Sequence, residues 1–203
     1  DASRVRGSIT EVFFNSASLL SVSRETDFPG LDLVPANSGM ELAERFLPSR
    51  KNFETILAKA LEEIVLSRPI YHYILIDCPP YMGAVTLNAL AAADLLIIPT
   101  QPEYFSAYAL RSMMASIQKV RSQNNPDLMY RILITMLDSR NRIHNEVEQQ
   151  IRTTFAEGVF KTEIKTDTKL RESAVVGTPI THLHQRSRSA LQYRALVQEI
   201  MQN

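Results

Sequence analysis

The feature that most constrains the fold of this chain is a short apolar run that ends in an acidic residue and two prolines. Residues 73–78 read YILIDC, and Pro79 and Pro80 follow directly. The run is too short for a buried helix, and its apolar residues do not alternate with polar ones. This pattern is typical of a parallel strand that is covered on both faces. It predicts an α/β fold in which Asp77 stands at the carboxyl end of a buried strand.

Similar runs recur along the chain and are separated by helical patterns. Strands are predicted at residues 94–99 and 131–137, with shorter ones at 31–35 and 159–164. Helical spacing of apolar residues predicts helices around residues 86–93, 110–120, 143–155, 169–175 and 190–200. The alternation indicates a doubly wound, mostly parallel sheet in a single domain over residues 1–203. Ligands of such sheets bind beyond the carboxyl ends of the strands.

Charge and composition restrict the possible partners. The 22 Lys and Arg residues balance the 22 Asp and Glu residues, so nucleic acid would have to bind a local basic patch. Cys78 is the one cysteine, which excludes an intrachain disulfide and fits a reducing cytoplasm. Its position in the apolar run predicts a small core residue. No apolar run reaches the roughly 18 residues of a membrane span, so no membrane partner is expected.

Asp77 has a chemical role that its position suggests. A rigid strand can deliver one carboxylate to the sheet edge, where it holds Mg²⁺ through water beside nucleotide phosphates, as in a Walker B strand. Because many α/β strands end in aspartate, the strand alone leaves open a turn or a helix cap at Asp77.

A series of sequence segments along the chain favours the Walker B role of Asp77 over a turn or a helix cap. The chain reads YILIDCPP at 73–80, LNALAAAD at 87–94, IIPTQPEYF at 97–105 and LITMLDSR from residue 133 on, and it ends in HQRSRSALQYRALVQEI before the last three residues. From about Thr10 to Asn203, this order resembles the ParA/Soj family of deviant Walker-type partition ATPases, whose members are also labelled cobyrinic acid a,c-diamide synthase-like. The resemblance implies a fold like that of the P-loop NTPases.

One family feature is absent from the sequence. None of the six glycines stands in a G-K-[ST] setting, so no phosphate-binding P-loop can be found. The resemblance implies that about fifty N-terminal residues, with the P-loop strand and helix, are missing. Either the chain is truncated, or the natural protein has lost its ATPase half. The intact Asp77 motif favours truncation.

The resemblance also implies roles for individual residues at the nucleotide. Asp77 would be the catalytic and Mg²⁺-binding residue. The switch loop beside the phosphates would be shaped by Pro79 and Pro80, with Gly83 giving the loop room to turn.

Further candidates follow the next two strands. By resemblance, Gln101 and Glu103 would face the nucleotide and a dimer partner, and Thr135 and Met136 would approach the adenine. Plain core packing remains an alternative for Met136.

The family's partners lead to a set of basic candidates. ParA dimers bind DNA without sequence preference, which requires Lys and Arg at phosphates. The candidates are Arg152, Lys169, Arg171, Arg186 and Arg188. Two arginines at a helix N-terminus oppose the helix dipole, which makes a purely structural role less natural for Arg186 and Arg188. The alternative is ordinary hydrated surface charge.

The implied function is chromosome or plasmid partitioning in the cytoplasm, on the nucleoid. The intact protein would bind ATP and Mg²⁺, form a homodimer on DNA and hydrolyse ATP when a ParB-type protein stimulates it. The present chain is expected to bind no cofactor and to be inactive by itself. Two alternatives stay open: a non-catalytic DNA-binding or dimerisation module that has lost ATP binding, and a MinD-like ATPase, although the last helix lacks a basic and apolar extension.

Overall fold

The computed structural model describes residues 7–67 and 71–202. The chain divides into two compact units, and each is described by itself. Unit 1 contains the residues up to Asp94 together with Ser116–Leu128, and unit 2 contains Leu95–Ala115 and the residues from Met129 onward. None of the helices in the described ranges is both long and apolar enough to cross a membrane.

Unit 1 is mainly helical. Its elements are α1 (Ile9–Asn15), α2 (Leu19–Val22), β1 (Arg24–Glu25), β2 (Asp32–Leu33), α3 (Gly39–Phe46), 3-10 turns at Leu47–Ser49 and Phe53–Thr55, α4 (Ile56–Ser67) and α5 (Ala84–Ala92). A capping box begins α1, because the Glu11 carboxylate accepts the backbone N–H of Ser8 at 2.5 Å. The core of the unit includes Phe13, Ala43 and Leu47, all at most 2 % exposed.

A buried asparagine joins α4 to α5. Asn88 is fully buried, and its Oδ1 accepts the N–H of Leu57 at 3.2 Å while its Nδ2 donates to the Ala84 carbonyl at 3.0 Å. The Leu57 N–H lies in the first turn of α4, where the helix supplies no acceptor of its own. Asn88 therefore has a structural role in the predicted helix at residues 86–93, which is confirmed as α5.

The strand predicted at residues 31–35 is a small surface hairpin instead. Only Asp32–Leu33 is a strand, and it pairs antiparallel with Arg24–Glu25. A turn in which the Leu31 N–H donates to the Phe28 carbonyl, with Gly30 at φ 80°, reverses the chain between the two strands. A hairpin this short has no face to bury, and all four of its strand residues are exposed.

Residues 73–78 do not form the predicted buried strand. The segment contains no strand, and Leu75 is 89 % exposed while Ile74 is 45 % exposed. Among the described residues no strand pairs with it, so neither its backbone groups nor its two apolar faces are covered. Cys78 is likewise exposed, and the expectation of a small core residue was wrong.

Unit 2 contains a three-stranded parallel sheet in the order β3-β4-β5, as the α/β prediction requires. The strands β3 (Leu95–Thr100) and β4 (Met129–Leu137) confirm the runs predicted at 94–99 and 131–137. The other elements are α6 (Ser106–Gln123), which continues into unit 1, α7 (Arg142–Phe155), a 3-10 turn at Ala156–Gly158, β5 (Ile164–Lys165), α8 (Thr168–Val176), α9 (Ile180–Leu183) and α10 (Arg188–Met201).

The strand predicted at 159–164 is shorter because a side chain takes its backbone donors. Val159 makes one isolated bridge to Ile132, and β5 begins only at Ile164. Between these points the Glu199 carboxylate of α10 accepts the N–H groups of Lys161 at 2.7 Å and Thr162 at 2.9 Å. These two donors are therefore satisfied by a helix rather than by a neighbouring strand.

Candidate functional site

The loop from Asp77 to Gly83 joins residues 73–76 to α5 in unit 1. Asp77 and Pro80 are exposed, and Pro79 is half-buried. Partial loss of hydration around the thiol, and then the charge of the neighbouring Asp77 carboxylate, raise the pKa of Cys78 and so favour its neutral form. The Asp77 carboxylate is therefore exposed to solvent, directly after the apolar residues 73–76.

The end of this loop is held by Glu44, a residue that no sequence pattern predicted. Glu44 of α3 accepts the N–H of Ala84 at 2.5 Å and the N–H of Val85 at 3.1 Å. These groups are unpaired donors of the first turn of α5, whose N-cap residue Gly83 has no side chain to offer. A carboxylate in this position also interacts favourably with the positive end of the helix dipole.

Gly83 lies directly against the Glu44 carboxylate. Its φ of −111° and ψ of −170° are extended values that any residue adopts, so conformational freedom is not the reason for a glycine here. A Cβ atom on Gly83 would collide with Oε1 of Glu44 and lie 2.9 Å from its Oε2. A side chain at this position would therefore have to displace the Glu44 carboxylate from its contact with α5.

In unit 2, the predicted residues after β3 and within β4 lie at the carboxyl edge of the sheet. The Nε2 of Gln101 is 3.0 Å from the sulfur of Met136, which brings these two predicted residues together. Met136 lies in a bulge between Thr135 and Leu137, with φ 53°, and is 41 % exposed. The bulge turns its side chain out of the ladder, so core packing does not explain Met136.

Glu103, another predicted residue, is tied to α7. Its Oε1 is 3.2 Å from Nε2 of His144, and Nδ1 of His144 accepts the N–H of Asp138 at 3.2 Å. Because Nδ1 is an acceptor, the ring proton belongs on Nε2, which donates to Glu103. His144 was not predicted, since a single histidine within a helical pattern gives no functional signal.

A charged pair follows β4 at the same edge. Arg140 donates to both carboxylate oxygens of Asp138 at 3.0 Å, and its backbone N–H also donates to Oδ1. The hydrogen bonds from the Arg140 side chain, and then from its backbone, lower the pKa of Asp138 to about 2. Asp138 therefore remains ionised across the physiological range.

The five basic candidates all lie in unit 2, but their surroundings differ. Arg152 is bound within the protein, since it donates to Glu148 at 2.6 Å, to the Phe160 carbonyl at 2.9 Å and to Glu163 at 3.4 Å. Its side chain is only 32 % exposed. These contacts give Arg152 a structural role between α7 and the segment before β5.

The other four basic candidates are exposed, and two of them share a cleft. Lys169 and Arg171 lie on the first turns of α8, and Arg186 and Arg188 lie on either side of Ser187, the N-cap of α10. Arg186 and Arg188 line an open cleft of about 640 Å³, although Arg188 also donates to the Thr166 carbonyl. The cleft thus presents two guanidinium groups at a helix N-terminus.

The described residues contain no group of three or more His, Cys, Asp or Glu side chains that could hold a metal ion. Within the loop, Asp77 is the single carboxylate that could contact a cation. Mg²⁺ is commonly bound by one or two carboxylates that act together with water and substrate phosphates. The donor set fits a magnesium ion that arrives with a nucleotide rather than one held by the protein alone.

Comparison with known proteins first identifies the class of protein to which the fold belongs. Residues 1–130 match a family model described as an AAA domain. Among solved structures, a Mycobacterium smegmatis protein described as cobyrinic acid a,c-diamide synthase, with a bound ATP analogue and magnesium, superimposes with a TM-score of 0.81. The match covers 99 % of this chain and 74 % of that chain at 27 % identity. The fold is therefore that of the P-loop NTPases.

Sequence relatives then give the family. The chain is 33 % identical to the sporulation initiation inhibitor protein Soj of Bacillus subtilis (strain 168), over 96 % of this chain and 76 % of the relative. It is 36 % identical to the chromosome partitioning protein ParA of Myxococcus xanthus (strain DK1622), over 97 % of this chain and 69 % of that protein. The chain belongs to the ParA/Soj family of partitioning ATPases.

Proposed function

We propose that this chain is the magnesium-side and DNA-binding part of a ParA-type ATPase that acts in chromosome or plasmid partitioning. The observation that carries the proposal is the Asp77–Gly83 loop, which joins an exposed carboxylate to a helix whose start is fixed by Glu44. Asp77 takes the Walker B role and holds Mg²⁺ through water. Pro79 and Pro80 shape the switch loop next to it.

The phosphate-binding loop comes from residues other than the 203 of this sequence. No glycine of the chain is followed by Lys and Ser or Thr, so the backbone donors that cradle phosphates have no candidate here. The exposed apolar side chains of residues 73–76 fit a strand that becomes central once a neighbouring strand pairs with it. Nucleotide binding then requires both parts.

The unit 2 residues have separate roles in the same proposal. Thr135 and Met136 approach the adenine, and the exposed bulge at Met136 makes that side chain available. Gln101 and Glu103 face the nucleotide and the second subunit of a homodimer. The magnesium ion and the ATP supply the charge and the transferable phosphate when they are bound.

DNA binding belongs to the exposed cations of α8 and α10. Lys169, Arg171, Arg186 and Arg188 meet phosphates without reading bases, which suits binding that has no sequence preference. A ParB-type partner stimulates hydrolysis, and the protein works in the cytoplasm on the nucleoid.

Hydrolysis by a chimera tests the proposal. An N-terminal P-loop segment of a ParA-type ATPase is joined ahead of residue 1, and Mg²⁺-dependent phosphate release from ATP is measured. We expect activity in the chimera and a loss of at least about a hundredfold in Asp77→Asn, because the transition-state charge loses its metal. Asp94→Asn, which changes an exposed carboxylate outside the loop, is the matched control.

The same experiment distinguishes the ATPase role from the alternative of a non-catalytic DNA-binding module. A correctly folded chimera that binds DNA but never hydrolyses ATP would contradict the ATPase role and support a non-catalytic DNA-binding module. Equal activity in Asp77→Asn and Asp94→Asn would contradict the role given to Asp77.

A further inference from the structure

We propose that Glu44 is a positioning residue that sets the place of the Asp77–Gly83 loop from a separate helix. The inference rests on the proposed function, since the loop matters for catalysis only if Asp77 serves the magnesium ion. Glu44 itself touches neither Asp77 nor any reacting group in this proposal. It acts through the backbone at the end of the loop.

The contact joins two elements that are distant in sequence. The Glu44 carboxylate of α3 accepts from Ala84 and Val85, which are 40 and 41 residues further along the chain. α3 is firmly held in unit 1, because Ala43, next to Glu44, and Leu47, just after the helix, are fully buried. The first turn of α5 is thereby held at a fixed place relative to α3.

Two further hydrogen bonds connect the first turn of α5 to the loop before it. The Thr86 hydroxyl donates to the Tyr81 carbonyl at 2.8 Å, and the Gly83 N–H donates to the same carbonyl at 3.2 Å. Tyr81 is therefore tied to the turn that Glu44 holds. The loop thus has an anchored carboxyl half from Tyr81 on and an exposed amino half that begins at Asp77.

An ordinary helix cap does not explain this arrangement. A local cap is supplied by the N-cap residue itself, as Ser187 does for α10 by accepting the Ala190 N–H at 3.2 Å. At α5 the N-cap is Gly83, and a side chain on it would displace the Glu44 carboxylate. The first turn of α5 is thus capped by Glu44 of a distant helix instead of by its own N-cap residue. This contact couples the loop to α3.

Amide exchange and a spin label test the proposal on the 203-residue chain. Hydrogen exchange is followed by NMR at Ala84 and Val85, and a nitroxide on the single cysteine, Cys78, reports on the mobility of the loop. We expect Glu44→Ala to speed exchange at both amides by about tenfold or more, because charge-assisted hydrogen bonds are lost. The label should become more mobile. Glu44→Gln, which keeps one carbonyl acceptor, should restore part of the protection.

Glu41→Ala is the matched control, since Glu41 is an exposed glutamate on the same helix and should change neither signal. Faster exchange at Ala84 and Val85 with unchanged mobility of the Cys78 label would mean that Glu44 only caps α5. This result would overturn the proposal. Unchanged exchange would overturn it outright.

Glu44→Gln, which keeps the size of the side chain, keeps the test decisive if Glu44→Ala folds poorly. In a folded Glu44→Ala protein, a double-mutant cycle adds a second test: Gly83→Ala should speed exchange strongly beside Glu44 but only weakly beside Ala, where the collision is removed. Equal effects of Gly83→Ala in both backgrounds would contradict the proposal. These signals need no nucleotide, so the inference can hold even if the chimera proves inactive, and it can fail while the ATPase role stands.

Discussion

His144 of α7 places its Nε2 atom 3.2 Å from Oε1 of Glu103, the carboxylate that follows β3. The other ring nitrogen of His144 accepts the N–H of Asp138, which follows β4. The imidazole side chain is 13 % exposed, whereas Glu103 is 58 % exposed. One side chain therefore connects the segments after two neighbouring strands of the sheet in unit 2.

We expect Glu103 and His144 to be coupled, but weakly. A double-mutant cycle of Glu103→Gln and His144→Gln, measured by urea unfolding, should give a coupling energy of about 0.2–1 kcal/mol, because water screens the exposed carboxylate. His144→Gln alone should also shift the methyl resonance of Met136, which lies at the same edge. Strictly additive effects would show that the contact contributes nothing.

The pair Asp138–Arg140 predicts a specific pH dependence. The pKa of Asp138 is lowered from its ordinary 3.8 to about 2. A lowered folded-state pKa means that the stabilising contribution is complete above about pH 4 and is lost as the pH falls toward 2. Carboxyl NMR titration should return the pKa of Asp138 toward 3.8 in Arg140→Ala. Arg142→Ala, which removes the partner of Glu146 instead, should leave it low.

Glu199 is expected to stabilise unit 2. Burial tends to raise the pKa of Glu199, but the backbone hydrogen bonds from Lys161 and Thr162 outweigh it and lower the pKa. Glu199→Ala removes the acceptor of two backbone N–H groups and should cost about 1–3 kcal/mol in urea unfolding. Gln198→Ala, at the exposed neighbouring position, should cost less than about 0.5 kcal/mol. Equal losses would contradict the assignment.

The basic residues should separate into two kinds. Arg186→Ala and Lys169→Ala should weaken binding to duplex DNA and each flatten the slope of log affinity against log salt by about 0.9. Arg152→Ala should lower the unfolding free energy instead, because Glu148 loses its ion-pair partner and Glu163 keeps only its ion pair with Lys165. An unchanged salt slope in the first two variants, or a flattened slope in a folded Arg152→Ala protein, would contradict this division.

The sequence predicted best those elements whose partners lie within the chain. β3 and β4 pair with each other over six residues, and most residues of both strands are buried or half-buried. The run at 73–78 has the same pattern but is exposed, because burial depends on neighbours that the described residues do not provide. An apolar pattern predicts that a segment tends to form a buried strand. Whether the strand forms depends on the neighbouring strands that are available to pair with it.

The candidate site was predictable only where a motif marks it. Asp77, Pro79 and Pro80 stand in a recognisable run, whereas Glu44 acts on α5 from 40 residues away and belongs to no local pattern. Gly83 was predicted to give the loop room to turn, but the sequence could not show that its backbone angles are ordinary and that its close neighbour is a side chain of another helix. Such contacts become visible only when the elements are packed.

We propose that Asp77 belongs to a magnesium–nucleotide site whose phosphate-binding part is not in these 203 residues. Isothermal titration of Mg·ATP into the 203-residue chain, with the P-loop chimera as the positive control, tests this assignment most directly. We predict no binding at micromolar concentration by the chain and micromolar binding by the chimera. Micromolar binding of Mg·ATP by the 203-residue chain itself would contradict the claim.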